Sequence, residues 1–247
     1  MMLFPSAGWV RLAWVGVEFR AIDCNLSCPF LLRMMINNPV TTPLTLDKTA
    51  QTPDPVLELV RQRWSPLAFS EQPVPPDQLR TLLEAAQWAA SSYNEQPWSF
   101  IVASKDDPVA FDRLLGCLAA GNQEWAKTAP VLMLSVAKLY FERNGTENRH
   151  AFHDVGAAAA TLALQATALG LFIHQMAGFD VAQARELYGI PAGYEPVAAI
   201  ALGYLGDPQM LSERLLQREL APRTRKPLES FVFSQHWNQP SVLIRKD

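Results

Sequence analysis

The stretch from Asp154 to Gly170 constrains the fold more than any other part of this chain. It is long, rich in alanine and almost without charged side chains. A helix that is apolar nearly all round has to be buried, either in the core of its own chain or at an interface between subunits. Its small side chains also allow another helix to approach closely. The sequence therefore predicts a long, buried central helix that ends at Gly170.

Apolar runs on both sides of this stretch predict strands, and helical periodicity predicts further helices. Continuous apolar segments indicate buried strands at residues 100–103, 130–137 and 195–204, and residues 171–180 read as a strand and turn. The clearest amphipathic helix spans residues 75–90. Some connections are too short for regular parallel crossovers. We therefore predict an α+β fold with a mixed central sheet and helices on both faces.

The first residues differ from the rest of the chain. Residues 1–45 mix isolated Trp, Phe and Cys with no period of 3.6 or 2, and they lack the charged start of a secretory signal. We expect residues 1–50 to be a disordered or mis-annotated N-terminal extension, with Met34 or Met35 as the natural start. Residues 51–247 would then form a single domain. The intact mass of protein made from its own gene checks this expectation.

Charge and cysteine content exclude several classes of function. The net charge of −3 argues against broad nucleic-acid binding, and no apolar run approaches the ~18 residues of a membrane helix. Three cysteines are too few for a disulfide scaffold, which favours a cytoplasmic protein. Cys24 and Cys28 lack a second ligand pair, and His150 and His153 have only Asp154 nearby. No metal site is therefore predicted.

A polar loop joins the helix at residues 75–90 to the strand at residues 100–103. Loops carried between a rigid helix and a rigid strand are where binding groups tend to lie. The same residue types also serve ordinary turns, so both interpretations remain open on these residues alone. The side chains that offer donors and acceptors in this loop are Ser91, Ser92, Asn94 and Gln96.

The segment Ala90-Ser-Ser-Tyr-Asn-Glu-Gln-Pro-Trp-Ser-Phe100 resembles the signature loop of the nitroreductase family of FMN-dependent oxidoreductases. In that family the loop reads Ser-Ser-x-Asn-x-Gln-Pro-Trp-x-Phe after a small residue or proline. The resemblance extends from about Arg61 to Glu229, with further motifs in the same order. It implies a nitroreductase-like domain over residues 51–247, which forms a homodimer with FMN at the subunit interface.

The resemblance also implies a phosphate site after the first helix. The family pattern Arg-Arg-Ser-x-Arg-x-Phe corresponds here to Arg-Trp-Ser-Pro-Leu-Ala-Phe, so that Arg63 and Ser65 take the positions that hold the FMN phosphate. Trp64 and Leu67 depart from the pattern. The cation lost at Leu67 leaves a phosphate of charge about −1.5 to −2 with fewer partners. A solvent-facing arginine at a helix end is the alternative for this motif taken alone.

Further cofactor contacts carry over to other segments. A basic pair shortly before Pro-Leu-Glu in the family corresponds to Arg223 and Arg225, whose planar guanidinium groups suit phosphate oxygens. The resemblance places Ser91 and Ser92 at the neighbouring subunit's flavin. It places Asn94 at the flavin ring or the ribityl chain.

The segment after the central helix resembles the part of the family fold whose backbone N–H groups face the flavin ring near N5. Gly178 permits a close backbone approach or a positive φ. A backbone donor at N5 would stabilise charge there without a side chain. A plain strand-to-helix turn, with Asp180 capping the next helix, is the alternative. The positions that carry over are Gln175, Met176, Ala177 and Gly178.

No side chain is predicted to be catalytic. The chain has no nucleophile elbow, no P-loop and no dinucleotide-binding glycine motif after a strand. In flavoenzymes the cofactor performs the redox chemistry, while the protein supplies binding and orientation. The resemblance implies ping-pong hydride transfer through flavin N5, from NADH or NADPH to nitroaromatic, quinone or similar acceptors. The alternatives are dehalogenation, azoline oxidation or flavin fragmentation at the same FMN site, and a non-catalytic flavin-binding protein.

Overall fold

The computed structural model describes residues 46–245 of the chain. The predictions that concern residues 1–45 lie outside the described residues. Residues 46–50, which the sequence assigned to the extension, are tied to the first helix: the Ala50 N–H donates to the Arg61 carbonyl (2.9 Å), and Arg61 Nε donates to the Ala50 carbonyl (3.0 Å). These bonds join residue 50 to the first helix, and the division of the chain at residue 51 stays a prediction.

Helices and strands alternate along the described residues, as the sequence predicted. The α-helices are α1 (Glu58–Gln62), α2 (Pro76–Gln87), α3 (Pro108–Cys117), α4 (Ala120–Ala126), α5 (Ala151–Ala168), α6 (Val181–Tyr188) and α7 (Glu213–Leu220). The strands are β1 (Trp98–Ser104), β2 (Val131–Lys138), β3 (Phe172–Met176) and β4 (Tyr194–Gly203). Each predicted apolar run is a strand. The alanine-rich stretch is α5, which begins at Ala151 rather than at Asp154.

The sheet has the strand order β1-β2-β4-β3, and all of its ladders among residues 46–245 are antiparallel. The α+β class is confirmed, whereas the expected mixture of parallel and antiparallel pairs is not found in these ladders. The connection from β2 through α5 to β3 does place two strands in the same direction. However, β4 lies between them and pairs with both, so they never form a parallel ladder.

Helices cover both faces of the sheet. Successive side chains of a strand point in opposite directions, so that one strand packs against the helices on both sides. On β2, Val131 and Met133 pack in the same apolar cluster as α2 and α5. Leu132 and Leu134 pack in a second cluster, together with Phe111 of α3 and residues of α4 and α6. The continuous apolar run in β2 follows from burial on both faces, as predicted.

Helix α5 is buried on one side only. Ala158 and Leu162 are fully buried against the sheet and α2, while Phe152, Gly156 and Ala160 on the other side are exposed. The helix therefore presents an apolar surface of small residues to the outside of the chain. Neither α5 nor any other helix within residues 46–245 is long and apolar enough to cross a membrane.

Candidate functional site

A cation-lined pocket of about 330 Å³ lies where the end of α1, strand β3 and the segment after α7 meet. Arg63 is the residue that ends α1, and its Nη1 lies 3.4 Å from the hydroxyl oxygen of Ser65. Arg223 and Arg225 reach the same pocket from residues 222–225, which follow α7. The structure thus brings together the four residues that the sequence assigned to the phosphate site, although the two pairs are far apart in the chain.

The pocket has a strong excess of positive charge. Its only carboxylate among the described residues is Glu219, and none of its cationic side chains forms an ion pair with any described residue. Burial lowers the pKa of Arg63, and the neighbouring charges of Arg223 and Arg225 lower it further. An anion in this pocket would relieve that repulsion. The cationic lining residues are Lys48, Arg63, Arg218, Arg223 and Arg225.

Arg223 and Arg225 have different partners. The Arg223 guanidinium donates to three backbone carbonyls, those of Lys48 (2.6 Å), Arg61 (2.6 Å) and Arg63 (2.9 Å). It therefore ties the last turn of α1 to the segment before that helix. The Arg225 guanidinium donates to the carbonyl of its neighbour Thr224 (2.7 Å) and is exposed, so it can turn toward a ligand.

Glu219 holds the backbone of the loop that follows Ser65. Its carboxylate accepts from the backbone N–H groups of Leu67 (2.8 Å) and Ala68 (3.2 Å), and the residue is 3% exposed. Burial raises the pKa of Glu219, although these two hydrogen bonds oppose the shift. The Leu67 side chain is itself buried in the core. This explains the departure at Leu67: the side chain packs inward, where a cation could not be solvated.

His174 of β3 also lines the pocket, although no motif in the sequence pointed to it. Its Nδ1 lies 2.8 Å from the carbonyl oxygen of Pro66, and its ring lies against Trp125 with centroids 4.5 Å apart. A carbonyl only accepts, so Nδ1 carries the hydrogen. Burial lowers the pKa of His174, and the charges of Arg218 and Arg63 act in the same direction. The neutral ring therefore keeps Nε2 as an acceptor.

The lowered pKa of His174 predicts acid-sensitive stability. The neutral ring is favoured in the folded state, so this contribution is complete above the unfolded pKa of about 6.5. As the pH falls through that value, the unfolded chain binds the proton first. The free energy of unfolding then decreases, by at most ~1.4 kcal/mol per pH unit for one proton. Urea unfolding between pH 7.5 and 5 should show this decrease in the wild type and less of it in His174→Gln.

The matched control is His236→Gln, because His236 lies on the exposed C-terminal segment. It should keep the wild-type dependence of stability on pH. Equal slopes for wild type and His174→Gln would contradict the role of His174.

The predicted ring-facing segment lies at the end of β3. Met176 points into the core, whereas Gln175 and Ala177 are exposed. A Cβ at Gly178 would come within 2.7 Å of the Asn122 amide nitrogen, whose N–H group donates to the Gly178 carbonyl (2.9 Å). Gly178 therefore lies close to the side chain of Asn122 in α4, and its approach to a flavin ring stays a prediction. The φ angle of Gly178 is not in the left-handed region.

The polar loop before β1 has an unusual backbone. Tyr93, Asn94 and Gln96 have φ angles of 55°, 55° and 51°, which place three non-glycine residues in the left-handed region. Such a conformation persists only when its surroundings hold it. Here the Gln96 N–H donates to the Ser91 hydroxyl (3.0 Å), and the Gln96 side chain donates to the Asn94 carbonyl (3.1 Å). Loops held in this way are often functional.

Asp154 connects this loop to the central helix. It is 2% exposed, and its Oδ2 accepts from the Ser92 N–H (2.9 Å). Asp154 lies in the first turn of α5, which begins after His150. Asp154→Ala should lower the free energy of unfolding by about 1.5–3 kcal/mol, because a buried charged acceptor is lost. Urea unfolding measures this. His153→Ala is the control and should change stability by less than about 0.5 kcal/mol, since His153 is exposed.

The polar loop and the cationic pocket lie at opposite edges of the sheet. The loop leads into β1, which is one edge strand, and His174 reaches the pocket from β3, which is the other. Three strand spacings of about 4.8 Å separate these edges. One chain therefore gathers Arg63, Ser65, Arg223 and Arg225 at a single pocket. It does not bring Ser91, Ser92, Asn94 or Gln96 to that pocket.

The fold and the pocket define a class: an α+β domain with a cation-lined pocket at one edge of its sheet. The sequence model of the nitroreductase family matches residues 60–204 of this chain. The chain belongs to the nitroreductase family.

Known proteins agree with this assignment. An uncharacterised 15.4 kDa protein of Mycolicibacterium smegmatis is 38% identical over 130 residues, which cover 53% of this chain and 86% of that protein. A putative NADH dehydrogenase/NAD(P)H nitroreductase of Stenotrophomonas maltophilia is 29% identical over 177 residues, covering 64% and 88%. The solved structure of an oxidoreductase containing FMN is 35% identical with a TM-score of 0.74, covering 79% of this chain and all (100%) of that one.

Proposed function

We propose that this chain is an FMN-dependent oxidoreductase that takes electrons from NADH or NADPH. The observation that carries the proposal is the cationic pocket, where arginines from two distant segments converge with no ion-pair partner among the described residues. This donor set suits the phosphate of FMN, which carries about −1.5 to −2 charges and accepts hydrogen bonds on several oxygens. Membership of the nitroreductase family and the likeness to an FMN-containing oxidoreductase support the same cofactor.

The residues of the pocket have separate tasks in this proposal. Arg63, Ser65 and Arg225 would hold the phosphate, since their polar groups line the pocket. Arg223 would add charge while fixing the end of α1 through its bonds to backbone carbonyls. The neutral His174 offers an acceptor at Nε2, which suits a hydroxyl of the ribityl chain.

The end of β3 would support the flavin ring. Gln175 and Ala177 are exposed there, and the backbone of Ala177 and Gly178 follows Met176, the last paired residue of the strand. Backbone N–H groups fixed at this point would stabilise negative charge without reorganisation. When bound, the cofactor supplies hydride transfer at N5, from the nicotinamide donor and then, by ping-pong, to a nitroaromatic, quinone or similar acceptor. The chain itself binds, orients and excludes water.

A homodimer would bring the polar loop to the cofactor of the neighbouring subunit. Within one chain, this loop and the pocket lie at opposite edges of the sheet. Several large apolar side chains are also exposed in one chain, and contact with a second copy would bury them. They include Leu57 before α1 (76% exposed), Phe152 of α5 (50%) and Trp237 of the C-terminal segment (84%). We therefore infer that α5, the loop and the C-terminal segment contact a second copy of the chain.

The visible spectrum of the purified protein tests the proposed function. We expect a flavin spectrum that bleaches on anaerobic addition of NADH or NADPH and returns when a quinone is added. The nucleotide that bleaches the flavin faster is the preferred electron donor. A protein that cannot be loaded with FMN would contradict the proposal. A protein that holds FMN but is reduced by neither donor would be a flavin-binding protein rather than an enzyme.

A further inference from the structure

We propose that Lys48 is an additional ligand of the cofactor phosphate. This inference rests on the proposed FMN site and extends it to a residue before the first helix. Lys48 lines the same pocket as Arg63, Ser65 and Arg225. The pattern of the sequence assigned this residue to an N-terminal extension outside the domain, so nothing in the motifs identified it.

The backbone and the side chain of Lys48 are both fixed at the pocket. Its carbonyl accepts from Arg223 Nη1 (2.6 Å), which ties this part of the chain to the basic segment after α7. Its ammonium group donates to the carbonyl of Ala221 and lies 5.6 Å from the centre of the Trp64 ring. Ala221 and Trp64 line the pocket themselves. The ammonium group is therefore held at the pocket wall rather than extended into solvent.

The charge of Lys48 is not balanced by a partner of its own. The charge of Glu219 attracts the Lys48 ammonium group, but the Glu219 oxygens accept from the N–H groups of Leu67 and Ala68. Within residues 46–245, Lys48 forms no ion pair. Burial lowers the pKa of Lys48, the charge of Glu219 opposes this shift, and the charge of Arg223 adds to it. A phosphate in the pocket would favour the charged ammonium and would be favoured by it.

Lys48 also supplies charge that the loop after Ser65 does not. Leu67 points into the core, and its N–H is already bonded to Glu219. The cations of the pocket come from Arg63 and from segments on either side of residues 60–204, the range that the family model matches. Lys48 lies before that range, and Arg225 lies after it. The affinity for phosphate in this chain would thus depend on Lys48 as well as on the positions that the family motifs supply.

A comparison of FMN with riboflavin tests this role, because riboflavin has the same ring and ribityl chain but no phosphate. Affinities are measured by quenching of flavin fluorescence with the full-length chain. Lys48→Met should weaken FMN binding about tenfold, equivalent to ~1.4 kcal/mol, and should change riboflavin binding less than about twofold. Lys48→Arg should restore most of the FMN affinity. The salt dependence of FMN binding should also become weaker in Lys48→Met.

The matched control is Lys127→Met, which removes one positive charge from an exposed position outside the pocket. It should leave both affinities unchanged. Equal weakening of FMN and riboflavin binding by Lys48→Met would show a structural role and would overturn the inference, as would unchanged FMN binding. Failure of the proposed function looks different, since the wild type would then bind neither flavin.

Discussion

Arg223→Met is expected to lower the free energy of unfolding of the FMN-free protein by about 2–4 kcal/mol and to weaken FMN binding at least about 100-fold. The Arg223 guanidinium donates to the carbonyls of Lys48, Arg61 and Arg63, and methionine can make none of these bonds. Hydrogen bonds to charged groups contribute about 1.5–3 kcal/mol each, reduced here because water reaches part of the site. FMN binding falls further because Arg63 and Lys48 lose the bond that fixes them.

Arg225→Met is the matched control for this variant. It removes the same charge from the same segment, but its guanidinium bonds only the neighbouring carbonyl of Thr224 within the described chain. We expect about tenfold weaker FMN binding and a change in stability below about 0.5 kcal/mol. Urea unfolding and flavin fluorescence measure the two effects separately. If both variants lost the same stability, Arg223 would have no structural role beyond that of Arg225.

The sequence predicted the layers of the fold because those depend on local patterns. The apolar runs of β2 and β4 identify strands covered on both faces, and the alanine-rich stretch identifies α5. It could not predict that β4 lies between β2 and β3. That order depends on which edge of the sheet a strand joins, and no residue pattern within the strands indicates that edge. The antiparallel ladders follow from this order.

The same distinction applies to the site: residues within one short motif were predicted, and residues held by long-range contacts were not. Arg63 and Ser65 were found because the chain keeps them within one short motif. Glu219 and His174 were missed because they act over 152 and 108 residues, through bonds to the Leu67 N–H and the Pro66 carbonyl. No sequence pattern indicates the distant hydrogen-bond partner of a carboxylate or an imidazole that lies in an ordinary amphipathic segment. Lys48 was missed for another reason, since the segment before it has no regular period.

The proposed dimer gives the second large effect, which is expected at Gly156. This glycine lies inside α5, it is exposed, and a Cβ at this position would meet no atom within 4 Å in its own chain. Its φ is not positive, so the backbone does not need glycine. Glycine inside a helix costs about 0.8–1 kcal/mol relative to alanine. In the proposed dimer, close approach of a second chain at α5 would account for this glycine.

Gly156→Leu should therefore produce a folded monomer that no longer retains FMN. The larger side chain would separate the two helices, and the loop from Ser91 to Gln96 would no longer reach the neighbour's cofactor.

The control is Gly116→Leu in α3, another exposed helical glycine with open space at Cβ. Sedimentation and flavin content should show a dimer with FMN for wild type and Gly116→Leu. Leucine favours a helix more than glycine does, so neither variant should lose stability as a single chain. Loss of the dimer in Gly156→Leu alone would then reflect contact between subunits, whereas a Gly156→Leu dimer with full FMN would place the interface elsewhere.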